Sequence, residues 1–74
     1  MLSSPTRVQT QREVAECHSR ISELNYELGV EERRAHRYIG HGFAQADINM
    51  VFANVKALRA EIRENVERIK LLNR

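Results

Sequence analysis

The sequence has 74 residues, 42% of them hydrophobic and 30% charged, with one cysteine and a formal net charge of +2. A chain this short makes one domain at most and does not enclose a large core unaided. The lone Cys17 excludes an internal disulfide, no apolar run approaches the roughly 18 residues of a membrane span, and so weak a positive charge does not by itself imply nucleic acid.

Residues 1–5 read as a flexible N-terminus, without the charged start and apolar core of a signal peptide. With the single thiol, this sets the expectation of a cytoplasmic protein, in the host cytoplasm if the chain is viral. Ser4-Pro5-Thr6 is a helix-start signal, because Ser4 can cap and Pro5 suits the first helical position. A helix is predicted over about 6–38, interrupted only by Gly29, which costs about 1 kcal/mol relative to alanine. Gly40 and Gly42 place a turn at about 39–43, and a second helix follows over about 44–73.

Val14, Cys17, Ile21, Leu24 and Leu28 alternate steps of three and four, which marks one helix face. Ile48, Val51, Val55, Leu58, Ile62, Val66, Ile69 and Leu72 mark another, with a slip near Ile62. If the chain folds back at the glycine pair, facing residues share a constant total of position numbers. Leu28 with Val55, Ile21 with Ile62, Cys17 with Val66 and Val14 with Ile69 all total 83, and Leu24 with Leu58 totals 82. The predicted fold class is therefore all-α, an antiparallel two-helix hairpin of coiled-coil type over 6–74. The same register places Ala35 opposite Ile48 and Glu32 opposite Val51, making Glu32 the one carboxylate on the seam. Its head is expected to reach solvent or His36.

One seam hardly offsets an ordering cost of about 1.5 kcal/mol per residue. Ala46, Met50, Ala53, Ala57 and Ala60 run along the far side of the second helix and would let another helix approach closely. Alanine is also the best helix former, so the stripe has a second explanation. With Met50 and Phe52 nearby, the expectation is a homodimer or higher homo-oligomer, most simply a four-helix bundle. Residues 13–32 hold six glutamates against Arg20, whereas 33–74 hold nine Lys or Arg against four Asp or Glu. Lys56, Arg59, Arg63 and Lys70 share a basic flank beside His18, Arg33 and His36, and the glutamates gather near Asp47 and Glu61.

Nothing in the pattern reads as an enzyme, and no cofactor or metal is expected. Cys17 sits on the seam as a small hydrophobe. His36, His41 and Glu32 match no zinc spacing, and Gly40-His41-Gly42 lacks the rest of a phosphate-binding loop. The segment Leu58–Arg74 is similar to the opening helix of chorismate mutases, but Arg63 stands at that family's acidic position, so no activity carries over. Ile39-Gly40, followed after four residues by Gln45, is similar to a stretch in phage helical-hairpin proteins that sequester signalling cyclic nucleotides. Three residues carry no binding site across.

The first functional expectation is a small homodimeric helical-hairpin module that inhibits or adapts a larger host or cellular protein. Tyr38, Ile39, Phe43, Met50 and Phe52 would supply apolar contacts, and Arg33, Arg34 and Arg37 a charged rim. The alternative is an anion, nucleotide or nucleic acid held by Arg33, His36, Lys56, Arg59 and Arg63 on the basic edge and hinge.

Overall fold

The computed structural model describes residues 7–73. The predicted cap at Ser4 and Pro5, and the segment 1–5, lie outside them. Helix α1 spans Arg7–Gly40 and helix α2 spans Gln45–Leu72. The chain is thus an all-α hairpin whose two helices pack along their length. The antiparallel register is tied by side chains that bridge the helices, Arg20 to Glu61 at one level and Glu13 to Arg68 two turns on.

The core is a single file of side chains. Leu24 and Val51 are fully buried, and Cys17, Ala35 and Val55 nearly so. The seam departs from the expected one at two places. Glu31, with only 15% of its side chain exposed, occupies the position expected of Glu32, which is 46% exposed. Strict alternation explains this: after Leu28 a step of three falls on Glu31, and steps of four and three then reach Ala35 and the half-buried Tyr38. Likewise, half-buried Asn65 faces Cys17 on the seam, while Val66 turns out to 37% exposure. A helix keeps its rotation whatever the residue, and the apolar Val66 falls one position past the seam. Asn65 satisfies its amide by donating to the Glu61 carbonyl at 2.9 Å.

The reversal is built from one helix-stop motif. The helix runs on through Ile39 and Gly40, beyond the expected start of the turn. Gly42 takes φ +70°, which lets the Phe43 N–H turn back and donate to the Tyr38 carbonyl, an acceptor shared with the His41 N–H. That six-residue closure is a Schellman ending, and its usual apolar clasp is present as the Tyr38–Phe43 ring stack, centroids 4.2 Å apart. Helix α2 starts without a side-chain cap. The Ala44 carbonyl takes the N–H groups of Asp47 and Ile48, and the Asp47 carboxylate lies in the positive first turn.

The two turn glycines are expected to respond oppositely to alanine. Gly42→Ala should lower stability by about 1–2 kcal/mol, because an L side chain is strained at that φ. Gly40→Ala should raise it by about 0.4–1 kcal/mol, since a Cβ there meets nothing within 4 Å and the unfolded chain loses freedom. Urea denaturation of both variants checks the sign.

The resulting shape is a ribbon of 60 × 19 × 15 Å with a radius of gyration of 17.2 Å. A compact domain of this length would have a radius near ~11 Å. The accessible surface is 6032 Å², against about 4,700 Å² for a globular chain of this mass. The hairpin therefore leaves surface that a globular domain would cover.

Candidate interaction surfaces

Two helices packed on one seam present two broad faces, above and below it, and two outer flanks. Residues seven apart fall on one line.

Glu13, Arg20, Glu27 and Arg34 share such a line on α1, and Asp47, Asn54, Glu61 and Arg68 share one on α2. Their bonds define the first face. Arg20 donates through Nε and Nη2 to Glu61 Oε1 at 3.2 and 3.0 Å, and through Nη1 to Glu23 Oε2 at 3.1 Å. The Glu61 hydrogen bond, then that of Glu23, raises the Arg20 guanidinium above its ordinary pKa, so it stays charged. Glu13 faces Arg68 at 3.9 Å, and Asn54 donates to Glu31 at 3.5 Å. These cross-helix pairs alternate in sign along the ribbon and fix its register more than its stability, because all lie near water. Between them is a groove of about 460 Å³ lined by Tyr26, Glu27, Val30, Glu31, Asn54, Ala57 and Leu58. Its floor is apolar and its rim acidic. Tyr26, not singled out by sequence reasoning, is 72% exposed and stands one turn before Val30; the spacing is visible in the sequence, but the groove it borders needs both helices.

The second face carries the basic residues. Glu32, Ala35, His36, Ile39, Phe52, Val55 and Arg59 line one groove, and Phe52, Val55, Lys56, Arg59, Ala60 and Arg63 line the next. Arg59 donates to Glu32 at 3.4 Å. Lys56 and Arg63 have no acidic partner among the described residues. Of the set expected to hold an anion, His36, Lys56, Arg59 and Arg63 thus fall on one face. Arg33 lines neither of these grooves; its backbone sits on the outer side of α1 and its Nη1 would stand 3.6 Å from a Cβ at Gly29, on the line of His36.

The residues expected at the hinge divide among several places. Tyr38 and Phe43 clasp each other in the turn. Ile39 and Phe52 sit together on the basic face, 60% and 50% exposed. Arg34 is held by Glu31 at 3.3 Å on the acidic face. Arg37 lies exposed in the last turn of α1. Met50 stands outside both grooves at 54% exposure, on the flank of α2 with Ala46, Ala53 and Ala60. All five residues of that stripe are exposed, and Ala57 also borders the acidic groove.

Among the described residues, no group of three or more His, Cys, Asp or Glu side chains is gathered to hold a metal ion, and no helix is long and apolar enough to cross a membrane. The described residues define an all-α antiparallel hairpin with charged faces. No protein-family model, curated protein or solved structure matches the chain.

Proposed function

We propose that this chain is a non-enzymatic binding module that pairs with itself and acts as an inhibitor or adaptor of a larger protein. One observation carries the reading: a hairpin with far more surface than a globular chain keeps Ile39, Met50 and Phe52 at least half exposed. Exposed apolar anchors beside arginines are the composition of a binding surface. Pairing through the flank Ala46, Met50, Ala53, Ala57 and Ala60 would give a four-helix homodimer, since small side chains let two helices approach closely. The partner contact is assigned to Ile39 and Phe52, with Arg59 and Arg63 at its border. Tyr38 and Phe43 are committed to the turn.

The test is a pull-down from the native host, followed by calorimetry on the purified partner with Ile39→Ser/Phe52→Ser. Affinity should fall by about 30-fold or more, the loss of a central pair of anchors. Unchanged affinity removes this contact. Phe52 beside the unpartnered Lys56 and Arg63 also supports a second reading, an anion, nucleotide or nucleic acid on the basic face. That ligand would declare itself by binding that weakens steeply with salt.

A further inference from the structure

The two broad faces are opposite in charge. On the first, Glu27 and Glu31 line the apolar groove floored by Val30, Ala57 and Leu58, with Glu23 one turn before Glu27; Arg20 holds Glu23 and Arg34 holds Glu31. On the second, Lys56, Arg59 and Arg63 surround the half-exposed Phe52. Glu32 alone opposes them in these grooves, and Arg59 holds it. Stacking two copies first face to first face, or second to second, would bring like charges together, which costs affinity. Stacking first face to second sets the carboxylates around the groove against the basic rim and puts an apolar knob over an apolar groove. The groove, at about 460 Å³, has room for a phenyl ring.

We propose that copies of this chain associate front to back, the Phe52 face of one seated on the Tyr26–Ala57 groove of the next. The occupant of each groove is a second copy because both complementary halves stand on one chain. The area agrees. The hairpin exposes about 1,300 Å² more than a globular chain of its mass, and a standard interface removes roughly 800 Å² from each partner. Such a contact is heterologous, so it closes into a ring or runs on as a stack. It rests on the reading above that the chain self-associates, and adds a second contact through the two broad faces; on the Phe52 face a second copy and the larger partner would compete for one surface. The flank meets the acidic groove at Ala57 and the Phe52 groove at Ala60.

Sedimentation of the full chain with two charge-reversed forms tests this. Lys56→Glu/Arg63→Glu makes both faces acidic, and Glu23→Lys/Glu27→Lys makes both basic. All four residues are exposed. Circular dichroism should show both forms as helical as the parent. The parent is expected to pass beyond two copies as concentration rises. Each variant alone should stop at two copies or fewer, its face association at least ~10-fold weaker. Mixing the two variants should restore larger species, because opposite faces are again presented, and added salt should disperse them. Variants that keep the parent's mass distribution, or a mixture without recovery, overturn front-to-back stacking. A parent that stops at two copies and ignores both reversals also overturns it, while leaving the flank dimer standing. A parent that is monomeric at every concentration ends both.

Discussion

Leu24→Ala is expected to lower stability by about 2–5 kcal/mol, a large share of what holds the hairpin together. Leu24 is fully buried at the middle of α1. A chain of 74 residues has ~4–11 kcal/mol of stability in total. The single-file core also has little means of refilling the space, because each layer holds few side chains and the helices are already in contact along one line. Leu71→Ala is the control. Leu71 is 60% exposed, so its truncation should change stability by less than ~0.5 kcal/mol. Urea denaturation followed by circular dichroism separates the two. A Leu24→Ala chain as stable as the parent would mean that the seam does not hold the hairpin together.

That seam is the part of the fold most legible in the sequence. Leu24, Val51 and Val55 lie on apolar stripes of helical period, and a shared total of position numbers is enough to bring the stripes together. Sequence and structure diverge where chemistry and geometry part company. Val66 is apolar and Asn65 polar, yet it is Asn65 that faces the seam. Its amide nitrogen donates within its own helix, and no buried side-chain nitrogen or oxygen among the described residues lacks a partner. Glu31 and Glu32 are chemically identical neighbours, and nothing but the phase of the helix tells them apart. The turn was legible as a glycine pair, but the two glycines are not equivalent. Gly42 provides the left-handed residue, whereas Gly40 is still helical.

The candidate surfaces were legible to a smaller extent. A wheel projection suffices to collect Lys56, Arg59 and Arg63 on one side, because they share a helix at helical spacing. The hinge cluster was built from nearness in sequence. Consecutive helical residues point about 100° apart, so Arg33, Arg34, Ile39 and Tyr38 go to different sides of the ribbon. The acidic groove needs both helices at once, Tyr26 and Val30 from one with Ala57 from the other. It emerges when the register is combined with the rotation of each helix, and a search along one helix at a time misses it.

The alanine flank gives the second large effect. Ala53→Glu/Ala60→Glu is expected to abolish pairing through α2 while leaving the hairpin itself helical. Glutamate is close to alanine in helix propensity and costs only a few tenths of a kcal/mol per site, to which Glu64 and the glutamates introduced at 56 and 63, three and four positions away, add similar amounts. In a two-fold dimer the change would place four carboxylates against a close helix–helix contact, each unpaired and desolvated, which costs several kcal/mol. Measured in the Lys56→Glu/Arg63→Glu background, where face stacking is already weakened, the parent stripe should melt at a temperature that rises with concentration. A tenfold increase adds about 1.4 kcal/mol to the stability of a dimer that unfolds to monomers. The glutamate form should melt at one temperature throughout. If the unsubstituted stripe also melts independently of concentration, then Ala46, Ala53, Ala57 and Ala60 are there as helix formers and the flank has no partner. The two explanations for alanine, propensity and close approach, predict the same helix and differ only in what happens when more of it is present.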